Sequence, residues 1–466
     1  MNMINVRRLT VMTFLGAGML SGISAQVSPL QVDTLKETKI PAQWDLQSCI
    51  DYAKEQNITI RKNRITAAST QIDVKTAKAA ALFPSLSFST SQQVVNRPYQ
   101  ETSSRVSGSE IISSNSKTSY NGNYGLNASW TLYNGNKRLK TIQQEKLNNQ
   151  VAELDVATSE NNIQESIAQV YIQILYAAES VKVNESTLQV SIAQRDRGQE
   201  LLNAGSIAKS DFAQLEAQVS TDRYQLVTAQ ATLEDYKLQL KQLLELDGEN
   251  EMNIYLPALS DENVLAPLPT KKDVYIRALS LRPEIEASKL NVEASELGIG
   301  IAKSSYLPTI SLSAGIGTNH TSGSDFTFGE QVKNGWNNSI GLSVSVPIFN
   351  NRQTKSAVQK AKLQYETSML SLLDEQKTLY KTIEGLWLDA NSAQQRYAAA
   401  NEKLKSTQIS YELISEQFNL GMKNTIELLT EKNNLLQAQQ EQLQAKYMAI
   451  LNMQLLKFYQ GDQLAI

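Results

Sequence analysis

The sequence predicts a membrane α+β fold made of two tandem repeats, each joining short alternating strands to a very long helix. Three observations predict it. A residue pattern returns after 216 positions, four segments alternate with period two, and two stretches of about 67 residues contain no proline.

The repeat comes first because it organises the rest. The segment from Gly125, GLNASWTLYNGNKRLKTIQQEKL, lines up with GLSVSVPIFNNRQTKSAVQKAKL from Gly341, an offset of 341 − 125 = 216. The same offset joins Gly205 to Gly421. Upstream, FPSLSFS around Pro84 matches LPTISLS around Pro308, now offset by 224. The extra residues fall in a Ser/Thr/Asn-rich stretch between Pro84 and Gly125, where a surface loop tolerates insertion. Each half then reads helix, strand, loop, strand, long helix, tight turn, helix.

Four strands are expected near 83–92, 123–133, 307–317 and 338–349. Leu86 and Phe88 alternate with Ser85, Ser87 and Ser89, and Leu126, Ala128, Trp130 and Leu132 with Asn127, Ser129 and Thr131. Ile310, Leu312, Ala314 and Ile316 alternate with Ser311, Ser313 and Gly315, and Ile340, Leu342, Val344, Val346 and Ile348 with Gly341, Ser343, Ser345 and Pro347. Period two places apolar residues on one face and small polar ones on the other. That is the pattern of an outer-membrane barrel strand. Four strands cannot close a barrel, and an open edge in lipid leaves backbone groups unpaired at several kcal/mol each. The chain must therefore pool strands with other copies of itself, and three copies supply twelve. Phe83, Tyr133, Tyr306 and Phe349 sit at the strand–helix junctions and are candidates for an aromatic belt at the inner interface, facing outer-membrane lipid.

The long helices are expected over Lys137–Asn203 and Arg352–Asn419. At about 1.5 Å per residue, each is near 100 Å long. Ile163, Ile167, Val170, Ile174, Ala178 and Val181 recur at three and four, a coiled-coil-like seam, and the other faces are rich in Gln, Asn, Ser and Glu. Such a helix packs beside neighbours and meets water elsewhere, as a tunnel wall does. Each ends at a glycine turn, NAGSIAKSD near Gly205 and NLGMKNTIE near Gly421.

The chain start reads as a secretory signal over residues 1–25: Arg7 and Arg8, an apolar run from Leu9 to Leu20, then small residues to Ala25. Its removal changes the formal charge from −3 to −3 − 2 = −5, which is no basic field for nucleic acid. An extension covers 26–44, the first repeat 45–247, a proline-bearing linker 248–270, the second repeat 271–460 and a tail 461–466. Cys49, the single cysteine, is expected to pack on a helix. His320, the single histidine, is expected in a Gly/Ser-rich loop without a partner motif. No phosphate loop, metal-ligand spacing or nucleophile motif stands out, so neither an enzyme nor a cofactor is expected. A coiled-coil scaffold or adhesin is the rival class, but it leaves the strands unexplained.

Taken together, the duplicated layout, SVPIFNNR near Pro347 and the paired glycine turns resemble the TolC family of outer-membrane efflux ducts. The resemblance implies a TolC-like trimeric duct in which a twelve-stranded β-barrel, four strands per chain, continues into a twelve-helix periplasmic α-barrel. It further implies an outer-membrane location reaching into the periplasm, a periplasmic adaptor as partner and an inner-membrane transporter of RND or ABC type beyond it. Small-molecule efflux and type I protein secretion both remain open. Carried over by position, Gly205, Ser206 and Ile207, with Gly421, Met422 and Lys423, match the adaptor-docking turns. Lys423 also falls at a basic gate position, Asp211 at an acidic gate position and Glu427 at an acidic position lining the narrow entrance. Thr430 falls where a second acidic ring occurs and Phe418 where a hydrogen-bonding tyrosine sits, and this sequence departs from the pattern at both. Opposite charges at Lys423 and Asp211 are expected to meet across neighbouring hairpins of the closed tip.

Overall fold

The first repeat runs α1 (Leu46–Gln56), α2 (Ile58–Leu82), β1 (Ser85–Asn96), β2 (Ser103–Ser107), β3 (Glu110–Ser114), β4 (Thr118–Asn134), α3 (Lys137–Asn203) and α4 (Lys209–Leu243). The second runs α5 (Lys271–Leu281), α6 (Pro283–Ser304), β5 (Thr309–Thr321), α7 (Phe328–Asn334), β6 (Asn337–Ser345), α8 (Gln353–Asn419) and α9 (Thr425–Tyr459). These come from a computed structural model describing residues 41–99, 103–107, 110–114, 117–247, 252–257, 264–322, 324 and 326–464. The expected signal peptide, most of the extension and part of the linker lie outside the described residues. From Trp44 onward the chain forms one unit.

Both long helices have 67 residues. With no proline inside, each keeps its hydrogen-bond ladder unbroken. Their starts are equivalent across the repeat. Gly135 and Asn136 precede α3 in the left-handed region at φ 69° and 63°, and Asn351 and Arg352 precede α8 at 51° and 65°. Two successive left-handed residues turn the chain sharply from strand to helix. Only the first repeat uses glycine there, since a Cβ at Gly135 would meet the Ser304 carbonyl oxygen at 2.7 Å.

A four-stranded antiparallel sheet has the order β1–β4–β5–β6. Its register gathers each residue class on one face. Ser85, Ser129, Ser313 and Gly341 form one cross-strand row, and Ser87, Asn127, Gly315 and Ser339 another. The opposite face carries the row Leu86, Ala128, Ala314, Ile340 and the row Trp130, Leu312, Leu342. A bulge between Thr131 and Tyr133 shifts the register so that Tyr133 lies opposite Ile310, on the apolar face. Without that extra residue its ring would turn to the serine face. Strands β1 and β6 are the two edges, and among the described residues neither has a partner on its outer side.

The strands run beyond the expected limits at the end away from the helices. β4 begins at Thr118, and β5 continues to Thr321 by pairing with Asn121. His320 therefore lies in a strand and not in a loop, and it is buried. β6 stops at Ser345, before Pro347, which has no N–H to donate. The β2–β3 hairpin and the short helix α7 are further elements within the Ser/Thr/Gly-rich connections.

The core lies at the middle of the long helices. Tyr171, Ile174 and Leu175 of α3 pack with Trp44, Cys49 and Ile50 of the α1 region and with Leu443, Ile450 and Leu451 of α9. Burial drives the Cys49 thiol up to about 12. Arg282, between α5 and α6, holds Glu165 of α3 and Glu284 at 2.9 Å each and lies over the Tyr459 ring. Away from this belt the helices bury only narrow stripes. Among the described residues, no helix is long and apolar enough to cross a membrane.

Candidate functional site at the helical tip

Helices α3 and α4 form one hairpin and α8 and α9 another. Their two turns share one backbone design. Gly205 and Gly421 adopt φ 73° and 74°, which suits glycine because a Cβ disfavours that region. The Ser206 N–H donates to the Leu201 carbonyl at 2.8 Å, and the Met422 N–H donates to the Gln417 carbonyl at 2.8 Å. Both are Schellman closures, which satisfy the last carbonyls of a helix.

The side chains differ between the turns. At the second, Leu420, Met422 (70% exposed) and Ile426 present an apolar surface to water. At the first, Gly205 and Ser206 are exposed and Ile207 is half-buried. Phe418, at the end of α8, is buried. Thr430 is exposed, and its hydroxyl donates to its own helix at the Ile426 carbonyl, 2.8 Å away.

Lys423 and Asp211 are each engaged locally within this chain. The Lys423 ammonium donates to Glu427 Oε1 at 2.6 Å. The other Glu427 oxygen accepts from the Asn424 N–H at 3.2 Å, while the Asn424 side chain accepts from the Glu427 N–H at 2.9 Å. This reciprocal capping box opens α9. The hydrogen bond from Lys423, then that from the Asn424 backbone, hold the Glu427 carboxyl below its usual range. Asp211 accepts from the Ala208 N–H at 3.3 Å at the start of α4.

Farther from the turns the two hairpins are joined by groups absent from the expected site. Lys432 of α9 is 3% exposed and Asp222 of α4 is 1% exposed. The Lys432 ammonium donates to Asp222 and to the Ser191 hydroxyl of α3, and Ser191 donates to Asp222. Gln218 donates to the other Asp222 oxygen at 2.9 Å. Burial pushes the Lys432 ammonium below its usual range, while Asp222 opposes that shift. Gln194 of α3 donates to the Tyr411 hydroxyl of α8 at 2.8 Å, a second tie between hairpins. The sequence did carry a signal for the buried pair. Lys432 interrupts the apolar stripe Leu428–Leu436 at helical spacing, and Asp222 follows Leu215 and Val219 on theirs.

Phe83, Tyr133, Tyr306 and Phe349 are all exposed at the helix-proximal end of the sheet.

A sheet with one apolar and one small polar face, continued by helices of 67 residues that double back at paired glycine turns, is the fold of TolC-like outer-membrane channels. The outer membrane efflux protein family model matches residues 49–245 and 274–461, and the chain belongs to that family. It is 24% identical to the outer membrane efflux protein BepC of Brucella suis over 62% of this chain, and 23% identical to the outer membrane protein TolC of Escherichia coli over 65%. The chain spans 60% and 62% of the lengths of those two relatives. Its fold matches the crystal structure of the channel CusC with a TM-score of 0.76 at 18% identity, covering 91% of this chain and 93% of that one.

Proposed function

We propose that this chain is the outer-membrane channel subunit of a tripartite efflux pump, a passive exit duct for small molecules. One observation carries the reading: a four-stranded sheet, apolar on one face and hydroxyl-lined on the other, leaves both edges β1 and β6 open. In lipid those edges have to be paired, and three copies joined β6 to β1 close a barrel of twelve strands. The apolar face then meets lipid, with Phe83, Tyr133, Tyr306 and Phe349 as the inner aromatic belt, and the serine face meets a water-filled lumen. The long helices continue the lumen into the periplasm.

The tip is the proposed gate, with Asp211, Phe418, Lys423, Glu427 and Thr430 around the entrance. The apolar second turn at Met422 and the first turn at Gly205–Ile207 form the docking surface for a periplasmic adaptor, through which an inner-membrane transporter delivers substrate. The name of BepC, an outer membrane efflux protein, supports efflux, whereas an alkaline protease secretion protein of Pseudomonas aeruginosa, 21% identical over 63% of this chain, supports protein secretion as the second reading. The chemistry is passage and not catalysis.

The test is size and conductance. In detergent the protein should sediment as three chains of about 50 kDa each, and in planar bilayers that species should conduct. A conducting monomer would overturn the reading.

A further inference from the structure

The short helix α7 lies in the connection between β5 and β6, at the end of the sheet away from the tunnel. A helix at a channel mouth invites reading as a lid over the lumen. The register says otherwise. Ile316, Ala314 and Leu312 of β5 point to the apolar face, and Thr318 and His320 continue the same alternation. Those two side chains carry α7. The Thr318 hydroxyl donates to the Val332 carbonyl at 2.7 Å, and the His320 ring meets the Phe328 ring edge-on at 5.0 Å between centroids. His320 also contacts the Tyr120 and Tyr124 rings of β4, and a Cβ on Gly122 would strike it at 2.2 Å. His320 is 8% exposed and among the described residues neither ring nitrogen has a hydrogen-bond partner, so it serves here as a packing ring.

We infer that α7 is an interfacial collar, seated on the outside of the barrel against lipid at the outer-leaflet boundary. This rests on the barrel reading above. Three observations commit the occupant to lipid. First, the face that carries α7 is continuous with the apolar band. Second, Phe326 and Trp336, flanking α7, are each 58% exposed, and Trp336 has the parity of Ile340 and Leu342 on the apolar face. Aromatic rings of this kind concentrate where hydrocarbon gives way to headgroups. Third, the height fits. From Thr309 to His320 the strand rises about 37 Å, or roughly 28 Å after a tilt near 40°, and barrel apolar bands are about 25 Å tall. The collar thus stands one band above Tyr133 and Tyr306.

A probe decides between collar and lid. Phe326→Cys, in a Cys49→Ala background, is labelled with an environment-sensitive fluorophore and placed in phosphatidylcholine vesicles brominated on the acyl chains. The collar gives blue-shifted emission quenched about twofold relative to unbrominated lipid, whereas a label at Ser313→Cys on the opposite face stays unquenched. Trp336→Cys should behave like Phe326→Cys, which guards against a single misfolded variant. Water-like, unquenched emission at both positions overturns the proposal. Replacing residues 324–335 by a short Gly/Ser turn should leave single-channel conductance unchanged, and a rise would show a lid. If the labelled protein contacts lipid but nothing conducts, the duct reading fails and the collar stands.

Discussion

Lys432 of α9 and Asp222 of α4 form an ion pair almost wholly shielded from solvent, with Ser191 of α3 completing it. The two charges are 210 positions apart in sequence and belong to different repeats. They tie one helical hairpin to the other above the turns. Removing one partner strands a buried charge. Asp222→Ala should destabilise the protein by about 3–5 kcal/mol in denaturant unfolding, whereas Asp222→Leu with Lys432→Met should stay close to the parent. A double variant that loses as much as the two single variants added together would mean that the pair is not coupled.

The contact between Lys423 and Glu427 makes a different forecast for the tip. Lys423→Glu sets like charges four residues apart at the start of α9 and should raise resting conductance by a few-fold. Adding Glu427→Lys should bring it back towards the parent. Adding Asp211→Lys instead tests the cross-turn contact expected from sequence. Rescue by Asp211→Lys alone would place the latch between hairpins.

Acid should loosen the same turn. Glu427 has a folded pKa below its ordinary 4.5, so its contacts contribute stability that is complete above 4.5. That contribution is lost as pH falls through the lower folded value. Amide exchange at Asn424 and Glu427, corrected for intrinsic rates, should accelerate on going from about pH 5.5 to about pH 3. Glu427→Gln should remove most of this pH dependence, and should also lower cation-over-anion selectivity in bilayer recordings.

The two faces of β6 give a fourth test. Ile340 is on the apolar face and Ser339 on the serine face. Ile340→Arg should cost about 2–4 kcal/mol in membrane stability. Ser339→Arg should spare stability and lower cation conductance. Reversed effects would invert the assignment of lumen and lipid.

The repeat, the strands and the long helices were legible because each obeys a local rule. Proline is absent over Lys137–Asn203, and Ile340, Leu342 and Val344 alternate with small polar residues and Gly341 through β6. The glycine turns were legible for the same reason. What escaped depends on contacts between distant segments. Thr327 and Glu330 carry the capping-box spacing that starts α7, yet nothing local says that the helix rests on His320. Lys432 and Asp222 were each visible as a charge in an apolar stripe, but nothing local joins one to the other. The Tyr133 ring reaches the apolar face through a bulge, a register shift that alternation alone cannot foretell.

The two bare sheet edges also bear on how the duct is made. A lone chain can fold its equatorial core, because those contacts are internal, but it has no way to enter lipid without leaving β1 and β6 unpaired. For the proposed trimer, insertion therefore waits for encounter with two other chains. Its rate should climb steeply with the supply of newly exported subunits, more like a third-order reaction than a first-order one. A modest fall in synthesis would then thin out finished channels far more than in proportion, and unassembled chains with adhesive edges would accumulate in the periplasm as substrates for proteases.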